Sequence, residues 1–300
     1  MHYAFVGLGS LGGHLAGSLL RAGFAVTVSD LERTRAEPLL AAGAAWAENP
    51  ASAAAAADAA ITCLPSPAAS AAVAPQLFES LRPGATWIEM STNEAAEVAR
   101  LAALAAARDI ATLEAPVTGG VHRAATGEIT VLVGGEATTF EAHRPALEAM
   151  GGEVLHMGPL GSAALIKVIT NMLAFVHLVA EGEALMLAKQ GGLDLAKAYR
   201  AIAASSGNSF VHETEGQVIL NGSYDIGFTL DLACKDLAFA AGYGRSLGVP
   251  LELAGLTGGT FLRARAQYGG QAQSTQVVKL LEDALGSELR APGFPARLTG

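Results

Sequence analysis

Three glycines fall within six residues, Gly7-Leu8-Gly9-Ser10-Leu11-Gly12. They stand directly behind a short apolar run, His2–Val6, and open a helix-periodic stretch, Leu11–Ala22. A second apolar run, Ala25-Val26-Thr27-Val28-Ser29, ends at Asp30, 18 residues beyond the last glycine. In a strand–turn–helix–strand setting each glycine has a task. The first allows the tight turn, the second lets the backbone approach a pyrophosphate, and the third lets helix and strand pack closely. The helix N-terminus offers unpaired N–H groups to phosphate oxygens. A carboxylate ending the second strand accepts hydrogen bonds from the adenosine ribose hydroxyls and repels a 2′-phosphate. The expected ligand is therefore a dinucleotide held by Gly7, Leu8, Gly9, Ser10, Leu11 and Gly12, with Asp30 favouring NAD over NADP. Arg33 and Arg35 lie near enough to blunt that preference, and Asp30 also reads as a turn or capping aspartate.

Alternation of short apolar runs with helices continues to about Gly158. Strands are expected at Ala59–Leu64, Thr86–Met90, Ala111–Ala115, Ile129–Val133 and Glu153–His156, with helices at Arg35–Ala42, Ala95–Ala107 and near Phe140–Met150. That order predicts an α/β fold with a Rossmann-type, doubly wound parallel sheet and helices on both faces. Beyond Gly158 the strand signals stop. Helices are expected at Ser162–Gln190, Asp194–Ala203, Val211–Leu220, Thr229–Leu247, Leu251–Tyr268 and Thr275–Leu285, with an irregular tail. The division is a dinucleotide-binding domain over 1–160 and an all-α substrate and oligomerisation domain over 161–300. The Ser162–Gln190 helix reads as too apolar for a monomer surface, so a homodimer or homotetramer is expected.

Composition removes several classes. The chain has 300 residues, 51% of them hydrophobic, which suffices for a large buried core. Its net charge of −9 argues against a general nucleic-acid binder, which needs a basic face. Cys63 and Cys234 form no CxxC pair, and His143, His156, His177 and His212 show no metal-ligand spacing, so no metal is expected. His122 shows no such spacing either, and is the one of these histidines not read as simply structural. The Ser162–Gln190 stretch carries Lys167, Asn171, His177, Glu181 and Glu183, which reads as a buried helix and not a membrane span. Met1–Val6 lacks the basic start and the length of a signal peptide, and a cytoplasmic protein is expected.

Only five lysines occur, at 167, 189, 197, 235 and 279. A chain that otherwise uses arginine retains lysine where an amine must release its proton. Lys167 and Asn171 stand at i and i+4, on one helical face. Glu114-Ala115-Pro116-Val117-Thr118-Gly119-Gly120 follows a strand, at the sheet edge where ligands bind in open α/β folds. Its hydroxyl and glycine N–H groups suit a carboxylate. Lys235-Asp236-Leu237 falls in a later helix. Plainer readings stand beside these: Lys167 as a snorkelling surface lysine, Asn171 as an interhelical bond, Thr118 as a turn residue, and Lys235–Asp236 as a solvated pair.

Taken together, these segments resemble the β-hydroxyacid dehydrogenase family, which includes 3-hydroxyisobutyrate dehydrogenases and tartronate semialdehyde reductases. The likeness spans roughly Tyr3 to Lys279. It rests on GLGSLGGHLAGSLLRAG at 7–23, the Leu64-Pro65 step, Ser91-Thr92, EAPVTGG at 114–120, GSAALIKVITN at 161–171 and KDL at 235–237. The resemblance implies Lys167 as catalytic acid/base and Asn171 as a holder of the reacting oxygen. It implies Thr118, Gly119 and Gly120 as the site of the substrate's acid group, and Leu64, Pro65 and Thr92 beside the nicotinamide. Lys235 is implied near cofactor and substrate. Thr170 stands where the family usually has a further asparagine, and Glu114 where it often has aspartate. His122-Arg123 is more basic than the resemblance leads one to expect, and Arg123 joins the substrate-binding set.

The residues themselves agree with that chemistry. Oxidising an alcohol with NAD needs a hydride acceptor and a base for the hydroxyl proton. A lysine serves once a cleft removes water from it, whereas arginine does not release its proton. The expected activity is NAD-dependent interconversion of a small β-hydroxyacid and its semialdehyde. Alternatives are an imine reductase-like enzyme or a non-catalytic dinucleotide-binding module of the same fold; Lys167 counts against both. A decarboxylating phosphosugar relative would be longer and more basic.

Overall fold

The computed structural model describes residues 1–298. It divides into a unit of Met1–Lys167 and a second beginning at Val168. The first unit is built on nine strands: β1 His2–Val6, β2 Ala25–Ser29, β3 Ala45–Trp46, β4 Ala59–Thr62, β5 Thr86–Glu89, β6 Ala111–Glu114, β7 Val117–Thr118, β8 Thr130–Gly135 and β9 Glu153–Gly158. They form one sheet in the order β3-β2-β1-β4-β5-β6-β8-β7, with β9 paired to β8.

Strands β1 to β6 are parallel, so their carboxyl ends share one edge. The chain winds outward from β1 to β3 and then returns to place β4 on the other side of β1. The loops after β1 and β4 therefore flank the point where strand order reverses, which is where open α/β sheets hold ligands. Alternate strand residues feed two separate cores. Tyr3, Phe5, Ile61, Ile88 and Leu113 pack with Leu15, Leu19 and Leu147 on one face. Ala4, Ala60 and Trp87 pack with Leu77, Phe78 and Leu101 on the other. This period-2 partition is what a doubly wound sheet demands.

The far end of the sheet departs from an all-parallel reading. β8 runs antiparallel to both β6 and β7. β6 and β7 lie along one edge of β8, separated by Ala115-Pro116. Pro116 has no N–H to donate, yet its carbonyl accepts the Leu132 N–H at 2.9 Å. The ladder thus passes the proline and delivers Thr118 beyond it. β7 and the Gly120–Thr126 helix behind it were not expected, nor were β3 and the helices Pro50–Ala54 and Pro67–Ser80. Pro67–Ser80 is alanine-rich, so it shows little periodicity. Its start is marked by Pro67 at the first turn and by the Ser66 hydroxyl, which accepts the Ala69 N–H at 3.2 Å.

The second unit is helical. Most of the Ser162–Gln190 helix lies in it, followed by Leu195–Ala203, Phe210–Glu213, Glu215–Asn221, Leu230–Leu247, Glu252–Tyr268 and Lys279–Leu285. The single helix expected over Val211–Leu220 is broken at Thr214, whose hydroxyl bonds the Phe210 carbonyl at 2.7 Å. Phe175, Leu178, Leu220, Leu237 and Phe261 share one core. Ser162–Gln190 is long and apolar enough, by length and composition alone, to cross a membrane. It also leaves Ile169, Leu173 and Leu187 exposed.

Candidate active site

The three glycines of the motif sit at the carboxyl edge of the sheet in two kinds of position. A Cβ on Gly7, whose φ is 97°, would strike the Cys63 carbonyl and lie 2.9 Å from Leu64. A Cβ on Gly12 would strike the Gly7 carbonyl. These two glycines are required by the chain's own packing. A Cβ on Gly9 would meet nothing within 4 Å. The chain gives no packing reason for a glycine there, and the space in front of it suits an external group such as a pyrophosphate.

Asp30 joins this loop. Its carboxylate accepts the Leu8 N–H at 2.6 Å and the Glu32 N–H at 2.9 Å, and Arg35 approaches to 3.6 Å. The turn reading of Asp30 is therefore present in the structure alongside its place at the end of β2. Leu8 is buried in the core, whereas Gly9 and Ser10 are exposed. Arg33 lies over the Trp46 ring and pairs with Glu48.

The loop after β4 is tied to the loop after β5. The Leu64 N–H donates to the Ser91 hydroxyl at 2.8 Å, and the Ser91 N–H donates to Glu89 Oε1 at 2.8 Å. Glu89 is wholly buried, and burial raises its carboxyl above the usual range, against the pull of the neighbouring Ser91, Ser70 and Thr62 groups. Pro65, which is exposed, and Thr92, which is half-buried, lie on these two loops.

Thr118 ends β7. Gly119, at φ 121°, and Gly120, at φ 88°, turn the chain into the Gly120–Thr126 helix. That helix packs against Gly12–Arg21, which brings the Thr118 loop to the dinucleotide helix. Arg123 folds back across Gly119, its Cδ 3.2 Å from where a Cβ would stand. His122 does the same at Gly120, and burial followed by the Arg123 charge pushes its imidazole below the ordinary value.

Lys167 is only 7% exposed, which removes the reading of a snorkelling surface lysine. It stands in the second turn of Ser162–Gln190. The start of that helix is held by Glu114, whose Oε1 accepts the Gly161 and Ala163 N–H groups at 2.7 Å each. In the second unit Asn171 Nδ2 donates to Asp236 Oδ2 at 2.6 Å, and Lys235 Nζ donates to Asp236 Oδ1 at 2.7 Å. Asp236 is 1% exposed, so Lys235–Asp236 is not a solvated surface pair. Lys235 also lies over Phe239.

The structure thus gathers Gly7, Leu8, Asp30 and Leu64 in the first unit, and Asn171 with Lys235 in the second. Sequence reasoning missed Asp236, Glu89, Ser91 and the capping role of Glu114. Asp236 had a signal, since it sits inside the KDL motif.

Residues 2–158 match the family described as the NAD-binding domain of 6-phosphogluconate dehydrogenase. Residues 161–281 match that described as NAD-binding of NADP-dependent 3-hydroxyisobutyrate dehydrogenase. The chain is 30% identical over 286 residues to 2-(hydroxymethyl)glutarate dehydrogenase of Eubacterium barkeri, covering 94% of this chain and 95% of that one. It is 33% identical over 287 residues to L-threonate dehydrogenase of Escherichia coli K12, covering 93% and 94%. The solved structure of Mycobacterium tuberculosis 3-hydroxyisobutyrate dehydrogenase with L-serine superimposes with a TM-score of 0.84 at 29% identity, covering 93% and 98%.

Proposed function

The chain belongs to the β-hydroxyacid dehydrogenase family, and from that premise we propose that it interconverts a small β-hydroxyacid and its semialdehyde with Lys167 as acid/base. It is an NAD(P)-dependent oxidoreductase acting on a CH–OH group. A bound nicotinamide dinucleotide supplies the hydride acceptor for oxidation and the donor for reduction. Gly7, Leu8, Gly9, Ser10, Leu11 and Gly12 would hold its pyrophosphate, Asp30 its adenosine ribose, and Leu64, Pro65 and Thr92 its nicotinamide. Asp30 supports NAD over NADP, because a carboxylate repels a 2′-phosphate.

In oxidation Lys167 accepts the hydroxyl proton as the C–H bond gives up its hydride; in reduction it returns that proton to the carbonyl oxygen. Asn171, fixed by Asp236, orients the reacting oxygen. The Thr118 hydroxyl, the Gly119 and Gly120 N–H groups and the Arg123 guanidinium take the substrate's carboxylate. Lys235, held by the same Asp236, binds cofactor and substrate. We read 1–160 as the dinucleotide-binding domain and 161–300 as the domain for substrate and self-association. The exposed Ile169, Leu173 and Leu187 support a homodimer or homotetramer, and the family match supports a cytoplasmic enzyme.

The observation that carries this reading is the burial of Lys167 one helical turn from Asn171. A lysine sheltered from water is the residue type that lends and takes a proton near neutral pH. The test is turnover of a panel of C3–C4 hydroxyacids with both dinucleotides. Lys167→Ala should lower kcat by about 10²–10⁴-fold with NAD binding nearly intact. A loss below about tenfold would move the base elsewhere. Asn171→Ala should cost less, since Asn171 orients and carries no proton.

A further inference from the structure

Glu114 opens the segment that supplies Thr118, Gly119 and Gly120, yet its carboxyl is bonded to a different element. It is 1% exposed, and its Oε1 is taken up by two backbone donors, Gly161 N–H and Ala163 N–H, both at 2.7 Å. Those donors lie 47 and 49 residues away in sequence, at the entry to the Ser162–Gln190 helix. A helix leaves its first N–H groups without internal partners, and an acceptor there fixes where the helix begins. Glu114 itself sits on the last residue of β6, inside the sheet. The bond therefore ties the first turn of the helix to an interior strand of the sheet, paired on both sides.

The surroundings are cut to this side chain. Gly134 is paired with Glu114 in the β6–β8 ladder, and a Cβ there would strike Oε1 and lie 2.9 Å from Cγ. Any other residue at 134 would displace the carboxyl. Ala163 and Lys167 stand at i and i+4 on one face, and side chains on a helix lean toward its N-terminus, here toward the turn that Glu114 holds. Ala163, Ala164, Lys167 and Val168 are all buried, so this end of the helix has one seat.

We infer that Glu114 is a positioning residue for the reaction: by accepting from Gly161 and Ala163 it sets where Lys167 stands. The inference rests on Lys167 being the acid/base. Burial raises the Glu114 carboxyl above the usual range, against the pull of the Ala163, Ala164 and Gly161 N–H groups. A neutral acid still accepts through its carbonyl oxygen, so an amide should do the same work.

The experiment compares E114A, E114Q, E114D and K167A in the full chain. A displacement of about 1 Å costs about 100-fold in rate, so E114A should lower kcat by about 10–100-fold while KM for the dinucleotide stays within about twofold. E114Q should recover kcat to within about threefold of wild type. Amide exchange over 161–167 should quicken in E114A and not in E114Q. On a K167A background E114A should cost nothing more, because the two act through one step. If E114A does not fold, E114D serves: it withdraws the acceptor by one carbon–carbon bond, about 1.5 Å, and should show the same kcat loss. Wild-type kcat in E114A, or a loss that E114Q fails to recover, overturns the inference. Failure of Lys167 as acid/base is separable, since K167A would then stay active while the exchange of 161–167 still reported on Glu114.

Discussion

Glu89 and Glu114 are register partners on neighbouring parallel strands, β5 and β6, at the carboxyl edge of the sheet. Side chains paired in this way point to the same face. Both are buried, and burial raises both carboxyls. Neither reads as a ligand group. Each accepts backbone N–H groups of a different functional segment: Glu89 that of Ser91, and Glu114 those of Gly161 and Ala163. In each, Oε2 has no hydrogen-bond partner among the described residues. Two acids side by side act as struts, one under the Leu64 loop and one under the helix bearing Lys167.

Glu89→Ala should loosen dinucleotide binding. It removes the acceptor for Ser91 N–H, and the Ser91 hydroxyl is what holds Leu64 N–H. A buried donor left unsatisfied costs about 1–3 kcal/mol, which sets the expected loss in unfolding free energy. Dinucleotide affinity, measured by titration calorimetry, should fall about fivefold or more. Glu89→Gln keeps the acceptor and should lie near wild type. Unchanged affinity in the alanine variant would remove Glu89 from the support of that loop.

Stability should decline as pH rises through the range set by Glu215. Burial lifts its carboxyl from 4.5 to about 7, with the Glu181 charge adding to the rise. The folded state therefore holds this proton more tightly than the unfolded chain. Its contribution is full below the ordinary carboxyl value and is lost as pH climbs through about 7. Glu215→Gln should flatten the melting temperature between those two pH values. A variant whose pH profile tracks wild type across that window would show that Glu215 does not titrate there.

Asp236 should matter as much as the residues it holds. It is buried and bridges Asn171 and Lys235, so Asp236→Asn turns an amide N–H₂ toward one of two donors. We expect kcat/KM to fall by about tenfold or more, close to the effect of removing Asn171 and Lys235 together, because the three form one network. Additive losses across the single and double variants would mean that Asp236 acts on the fold and not on its two partners.

Much of this architecture was legible in the chain. The glycine motif worked as a signal because its neighbours on either side are a strand and a helix, and β1, β2, β4, β5 and β6 are apolar runs with clear turns. Lys167 was visible because lysine is scarce. The hidden parts share a cause: their partners are distant in sequence or are backbone atoms. Glu89 and Glu114 look like ordinary acids ending strands, and only the fold brings Ser91, Gly161 and Ala163 to them. Pro67–Ser80 is concealed by alanine, which fits any periodicity. The reversed β8 is invisible because a short apolar strand carries no mark of its direction.

Asp30 should prove to have two separable roles. As the proposed ribose-binding acid its charge would repel a 2′-phosphate, and its oxygens hold the Leu8 and Glu32 N–H groups. Asp30→Asn keeps an acceptor and removes the charge, so it should narrow the preference for NAD with little loss of NAD affinity. Asp30→Ala should weaken both dinucleotides. Faster turnover of wild type with NADP than with NAD, at equal low concentrations, would sink the assignment of Asp30.

Recognition of the substrate's acid group must be local, because a chain of net charge −9 draws no anion by its overall field. Thr118, Gly119 and Gly120 supply a hydroxyl and N–H donors but no full charge. Arg123 lies across Gly119 and, in the proposed role, would supply one. A charge-assisted hydrogen bond contributes about 1.5–3 kcal/mol, or about 10–150-fold in affinity. Arg123→Ala should therefore raise KM for hydroxyacids by about tenfold or more and leave alcohols and aldehydes without an acid group nearly unchanged. Arg123→Lys should recover only part of the loss, since a single ammonium cannot replace a bidentate guanidinium. Equal losses for charged and uncharged substrates would show Arg123 acting through the loop's shape, and carboxylate binding would then fall to Thr118 and the two glycine N–H groups.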